Sequence, residues 1–174
     1  NDIALYISSL IPADRGIIRT LKQCYYGDEE NDYYDFQFAS RDATFERNWD
    51  YCETEAWLYQ KAKENGLEIC FAETAFLGFI DGHPIYYQAK AQIYGDYYTS
   101  TRKSHTREEK INTEEACRRI NVDWLSDFLT TYGTDMFQRF MSFIKIYDIR
   151  DLHNGNVGYI EGLPVLVDYS GYND

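Results

Sequence analysis

The chain has 174 residues, the length of about one domain, and its 44% hydrophobic and 17% aromatic content is enough to build a packed core. Its net charge of -12 argues against nucleic acid as a direct ligand, because phosphate contacts need clustered lysine and arginine. The acidity points instead to a basic or amphiphilic protein partner, and seventeen tyrosines imply many half-buried rings with a hydroxyl to satisfy.

From the N-terminal end, Ile3, Leu5, Ile7 and Leu10 are apolar at a spacing that settles neither strand nor helix, and Ile11-Pro12 ends that element. Ile17–Tyr26 and Tyr33–Phe38 read as strands around the acidic turn Gly27-Asp28-Glu29-Glu30-Asn31-Asp32, a hairpin with a negative tip. From Thr44 to Asn65 the spacing predicts a helix, with Trp49, Cys52, Ala56, Tyr59 and Ala62 three and four residues apart and Asn65-Gly66 as its stop. Ile69–Phe79 and Pro84–Ala91 read as strands joined at Asp81-Gly82.

The polar stretch Gly95–Lys110 has no apolar period and reads as an exposed loop. A helix is expected to start at Asn112-Thr113-Glu114-Glu115 with Thr113 as its cap. Val122–Leu129 and Asp135–Tyr147 are amphipathic helical segments. Two short apolar runs follow, Val157–Ile160 and Pro164–Tyr169, separated by Glu161-Gly162. The order strands, helix, strands, helices, short hairpin reads as α+β with two lobes.

Cys24, Cys52, Cys70 and Cys117 contain no C-x-x-C pair, and His83, His105 and His153 are scattered. That spacing fits neither a disulfide scaffold nor a zinc site and predicts reduced, mostly buried thiols. No apolar run reaches the ~18 residues of a membrane span and no leader pattern opens the sequence, so a cytoplasmic protein without a membrane partner is expected.

The chemistry is concentrated in Ile149-Arg150-Asp151-Leu152-His153-Asn154-Gly155-Asn156 and Leu166-Val167-Asp168-Tyr169-Ser170-Gly171. An aspartate is followed five residues later by an asparagine, and twelve residues after that by a second aspartate. This arrangement resembles the R-D-L-x-x-x-N and D-F-G motifs of the protein-kinase-like superfamily. It looks closest to the small, divergent kinase-like proteins of bacteria and their mobile elements.

The resemblance implies a reduced two-lobed fold: a small antiparallel sheet plus the Thr44–Asn65 helix over residues 1–91, then a helical lobe with a short catalytic-loop hairpin over 92–174. It implies that Asp151 takes the catalytic-base position, that Asn156 and Asp168 hold Mg²⁺, and that Gln88 lies near the adenine of ATP. Magnesium prefers hard oxygen ligands that bridge phosphates, whereas the base must face the nucleophile, which accounts for these residue types. His153 stands where the loop usually carries lysine, as in the aminoglycoside-kinase-like branch.

Other positions depart from the family. The strand expected to carry the nucleotide lysine places Gln37 there, and a neutral amide cannot replace a cation against a triphosphate. Lys22 and Arg41 are the alternative cations, and Glu53 or Glu55 is the glutamate that would pair with the cation. Only Gly16 and Gly27 occur in the first 65 residues, so no glycine-rich phosphate loop is present, and the hairpin carries Asp28, Glu29, Glu30 and Asp32. Gly171 lies three residues before the last residue of the sequence, and an activation segment and a helical substrate-binding subdomain are expected to be missing. Three functions follow: a pseudokinase-type binding protein, an active Mg-ATP-dependent phosphotransferase on a small molecule or protein, or an acidic non-enzymatic inhibitor or decoy.

Overall fold

In the computed structural model, the described residues are 16–26, 30–37, 42–45, 50–80, 83–95 and 106–170. The expected element at 2–12, the turn residues Gly27–Glu29 and Asp81-Gly82, Arg41, Gly171 and most of the 95–110 loop lie outside them. The architecture is α+β, with two small antiparallel sheets and helices, divided into two compact units. One unit contains residues up to Tyr59 with Glu73–Lys90; the other contains Gln60–Ala72 with residues from Ala91 onward. The segment 60–72 therefore belongs with the later unit rather than with residues 1–91.

The first unit is built on a five-stranded sheet of order β3-β2-β1-β5-β4. Its strands are β1 (Gly16–Tyr26), β2 (Glu30–Gln37), β3 (Asp42–Phe45), β4 (Thr74–Ile80) and β5 (His83–Ala89). The expected hairpin forms, pairing Gln23 with Tyr33, but Glu30, Asn31 and Asp32, expected in the turn, belong to β2 and pair with Tyr26, Tyr25 and Cys24. Helix α1 runs Asp50–Glu64, not from Thr44. Thr44 and Phe45 are drawn into β3, where they pair with Asp35 and Tyr34, so cross-strand pairing overrides their place in the helical pattern. Cys52 of α1 packs against Tyr86 of β5, with Ala56 beside them.

The strand expected from Ile69 begins only at Thr74. Glu68–Cys70 forms a single 3-10 turn, and Phe71 makes a parallel bridge to Leu166 in the second unit. Burial decides this: Cys70, Phe71 and Ala72 are all inside, whereas an alternating strand would expose one of every two. Asn65-Gly66 ends α1 as expected, with Gly66 at φ +63° and Leu67 N–H returning to the Ala62 carbonyl at 2.8 Å.

The second unit contains β6 (Gln92–Ile93), β7 (Val157–Ile160) and β8 (Leu163–Leu166) in that order in the sheet. Glu161 at φ 51° and Gly162 at φ 80° make the tight two-residue turn between β7 and β8. Helix α2 is Arg107–Asn112, which begins inside the stretch expected to be a loop and ends at Asn112, the expected start of a helix. Its cap is Thr106, whose hydroxyl accepts the Glu109 N–H while the Glu109 carboxylate takes the Thr106 N–H. Thr113 sits at the other end of this helix, as its C-cap.

Helix α3 covers Val122–Ile146 in two helical segments that meet at Gly133, whose φ of 82° and ψ of 168° break the helix. The two amphipathic segments read from the sequence lie on either side of that break. Their inner faces supply the core: Trp124 and Phe128 pack at 5.4 Å, Phe128 and Phe140 at 4.9 Å, and Phe140 reaches Phe71 at 5.5 Å. Fully burying each such ring contributes on the order of 1.5–3 kcal/mol. Cys52, Cys70 and Cys117 are buried, and burial pushes the Cys70 and Cys117 thiols up to about 12. Among the described residues, no helix is long and apolar enough to cross a membrane.

Candidate functional site

The end of α3 sets the position of the candidate loop. Asp148 adopts φ 54°, the left-handed turn that stops a helix, and Ile149 N–H returns to the Ile144 carbonyl at 3.0 Å. Ile149 and Leu152 are then buried, at 4% and 0% exposure, which leaves Asp151 between them at the rim. Arg150 points outward and pairs with Asp148 at 2.6 Å, an exposed pair with little energetic weight.

Asn154 and Asn156 are both buried and fix the loop from two sides. Asn154 Oδ1 accepts the backbone N–H of Asn121 at 2.7 Å, and Asn121 Oδ1 in turn caps α3 through Asp123 N–H at 2.8 Å. Asn156 Nδ2 donates to the Asp151 carbonyl at 2.7 Å and lies 3.4 Å from Asp151 Oδ2. A carbonyl only accepts, so the arm facing Asp151 must be the NH₂ group. The other arm, Oδ1, is the one available to a cation.

Asp168 is brought to the same place by the backbone. Val167 donates its N–H to the Asn156 carbonyl at 2.8 Å. The next residue but one, Tyr169, is fully buried, with its hydroxyl on the Ala72 carbonyl at 2.7 Å and its ring edge-on to Phe71 at 5.2 Å. Alternation along an extended chain then turns Asp168 outward, and it is exposed. Ser170 Oγ donates to Asp168 Oδ1 at 3.2 Å.

His153 completes the cluster. Its Nδ1 accepts the Gly155 N–H at 3.0 Å, so the proton of the neutral ring is on Nε2, which faces Asp151 Oδ2 at 3.5 Å. Burial holds its pKa below the usual imidazole value; Asp151 opposes that shift, Arg119 adds to it, and Asp168 opposes it again. Both carboxylates thus act electrostatically on one imidazole.

Arg119 is the site residue that sequence reading misses. Its NH1 lies 3.4 Å from Asp151 Oδ1, across 32 residues of chain. The only local signal is the Arg118-Arg119 pair ahead of α3, and nothing in it separates the half-buried Arg119 from the exposed Arg118.

The remaining candidates lie in the first unit. Gln37 ends β2, paired with Asp42, and β3 intervenes between it and α1, so Gln37 is not on the strand that directly precedes the helix. Asp42–Phe45, which is on that strand, contains no lysine. Glu53 is exposed, while Glu55 is buried at 2% exposure; of the two glutamates, Glu55 is the one turned inward. Gln88, also buried, donates from Nε2 to Glu55 Oε2 and Thr74 Oγ1, each at 3.3 Å, a polar network linking α1, β4 and β5.

Among the described residues no group of three or more His, Cys, Asp or Glu is arranged to hold a metal ion. Asn156 Oδ1 and Asp168 offer an amide oxygen and a carboxylate. These are hard donors of the kind Mg²⁺ takes when phosphate oxygens and water fill its other positions. Comparisons with protein-family models, with curated proteins and with solved structures gave no match to this chain.

Proposed function

We propose that this chain is a divergent member of the protein-kinase-like superfamily that works as a pseudokinase-type binding protein, taking a metal–nucleotide ligand at the Asp151–Asn156–Asp168 cluster. In that reading the five-stranded sheet with α1 corresponds to the small lobe and the second unit to a reduced catalytic lobe. The observation that carries it is the convergence of Asn156 and Asp168 through the Val167 N–H to Asn156 carbonyl bond. Three residues read from motif spacing alone thereby share one loop cluster, with Asp151 bonded to Asn156.

Asn156 Oδ1 and the Asp168 carboxylate would hold Mg²⁺, which when bound neutralises phosphate charge. Asp151 is held through its carbonyl by Asn156, and its carboxylate is crowded by Arg119, His153 and Asn156 at 3.4, 3.5 and 3.4 Å. A substrate hydroxyl would have to displace those donors before Asp151 could accept its proton. That crowding, with Gln37 and the missing glycine loop, favours binding over turnover.

A second reading, an active phosphotransferase on a small molecule or protein, is favoured by the outward-facing Asp168 beside Asn156. Titration with Mg-ATP followed by thermal unfolding tests the first reading. A rise in midpoint that Asp168→Asn removes is expected by mass action; no rise at millimolar nucleotide would refute it. Phosphate release or transfer that Asp151→Asn abolishes would establish the second.

A further inference from the structure

We infer that the outer edge of β4 is a docking strand for an extended segment of another protein, apolar in its middle and basic at both ends, which adds to the sheet as a sixth strand. The surface lies in the first unit and is independent of the kinase-like reading. Among the described residues, β5 flanks β4 on one side and no strand flanks it on the other. Such an edge presents a row of backbone N–H and C=O groups, which proteins usually blunt with lysine, proline or a covering loop. Between Glu73 and Asp81 this strand carries no charged residue and no proline, and Phe76, Leu77 and Phe79 are 48%, 52% and 70% exposed.

The backbone gathers that apolar surface into one shelf. Residues three apart on a regular strand point to opposite faces, yet the Phe76 and Phe79 rings meet at 5.2 Å. A bulge explains this. Phe76 pairs with Tyr86 and Gly78 with Ile85, so Leu77 is the extra residue, and Phe79, opposite Pro84, returns to the Phe76 face. Gly78 takes φ 128°, and nothing lies within 4 Å of where a Cβ would stand, so the backbone angle rather than lack of space calls for glycine. Phe76 also reaches Tyr86 at 5.4 Å, and Tyr86 packs on Cys52 of α1. The inner end of the shelf is anchored in the core, while the burial of Phe79 is left for a partner to supply.

Charge selects the occupant. This unit holds fourteen aspartates and glutamates against six lysines and arginines, a net of -8, and in the sequence Glu73 and Asp81 bracket the neutral strand. A basic residue at each end of the incoming segment matches these acids, while its alternate apolar residues meet Phe76 and Phe79. A second copy of this chain is the poorer fit. Antiparallel pairing of two β4 strands would set the Glu73 end of one against the Asp81 end of the other, acid against acid.

Fluorescence anisotropy of the full chain with the labelled, end-blocked peptide Lys-Val-Thr-Phe-Thr-Val-Lys, as long as the seven residues of β4, tests this. Saturable binding with a Kd below about 1 mM is expected. The same peptide with glutamate in place of both lysines should bind about tenfold or more weakly. Phe79→Lys puts a charge on the edge at an exposed position and should weaken the basic peptide about tenfold or more. Its unfolding midpoint without peptide, expected to match the wild type, separates lost docking from a lost fold. Hydrogen exchange of the backbone amides from Ala75 to Phe79 should slow when the basic peptide binds. No saturation by about 1 mM, equal binding of the two peptides, or binding that leaves that exchange unchanged would each overturn the inference. So would dimerisation of the wild type in sedimentation that Phe79→Lys abolishes, since the edge would then belong to a second copy.

Discussion

Asn156 and Val167 are joined by a 2.8 Å bond from the Val167 N–H to the Asn156 carbonyl, and this contact brings two halves of the motif together. Asn156 is also the residue whose amide holds the Asp151 carbonyl at 2.7 Å. One buried asparagine therefore ties the candidate base to the strand that delivers Asp168. Its side chain fixes one partner and its main chain the other.

Asn156→Ala should test the side-chain half of that tie. It leaves the Asp151 carbonyl without its donor in a site where Asn156 is 7% exposed, a loss of about 1–3 kcal/mol. Asn156→Asp should cost more near neutral pH, because a carboxylate would face the Asp151 carbonyl and carboxylate in place of a donor. Urea unfolding of both variants checks the order; an equal or smaller loss in Asn156→Asp would show that the amide nitrogen is not the arm that faces Asp151.

The motif residues were legible in the sequence because their contacts are local: Asp151 to Asn156 is one loop, and Asp168 follows one tight hairpin whose Glu161-Gly162 turn is readable as such. Arg119 and Asn121 were not, since each reaches the loop across more than thirty residues of unrelated pattern. The same contrast runs through the fold. The hairpin of β1 and β2 and the two segments of α3 follow from turn chemistry and 3.6-residue spacing. Phe71 looks like a strand residue beside Ile69, yet it is claimed by Phe140, Phe143 and Tyr169, partners that no local window contains.

Gly158→Ala should damage the second sheet without touching any site residue. A Cβ at this position would collide with the Gln92 backbone carbonyl on β6, and backbone cannot step aside as a side-chain tip can. The Gly158 carbonyl also accepts the Trp124 indole N–H at 3.0 Å, so a displaced β7 loosens a fully buried ring. An overpacking cost of about 1–3 kcal/mol is expected, together with a change in tryptophan fluorescence. An unfolding midpoint and spectrum matching the wild type would show that β6 does not approach β7 this closely.

Tyr169→Phe removes one hydroxyl from a fully buried ring and leaves the Ala72 carbonyl without that 2.7 Å donor. The expected loss is about 1–3 kcal/mol. Tyr169→Ala also forfeits the contact with Phe71 and should cost about 3–5 kcal/mol. If the cluster takes Mg-ATP as proposed, Tyr169 orients its neighbour Asp168, so the Phe variant should keep most of a Mg-ATP stabilisation that the Ala variant loses. The paired thermal shifts, with and without nucleotide, distinguish anchoring of Asp168 from stability alone.

His153 should make folding stability depend on pH. Burial holds its folded pKa below 6.5; of the charged groups around it, Asp151 and Asp168 pull upward and Arg119 pulls downward, and burial prevails. The folded state therefore binds fewer protons than the unfolded chain over the interval between the two values. Stability is fully present above the unfolded value and is lost as pH falls from about 6.5 through the lower folded value. Protonation also puts a proton on Nδ1, which ends its acceptance of the Gly155 N–H and loosens the turn between Asp151 and Asn156. Urea unfolding between about pH 7.5 and about pH 5.5, a window chosen to stay above most carboxylate titration, should show this decline in the wild type and a shallower one in His153→Gln. Equal slopes in the two proteins would show that His153 is not excluded from protonation by the fold.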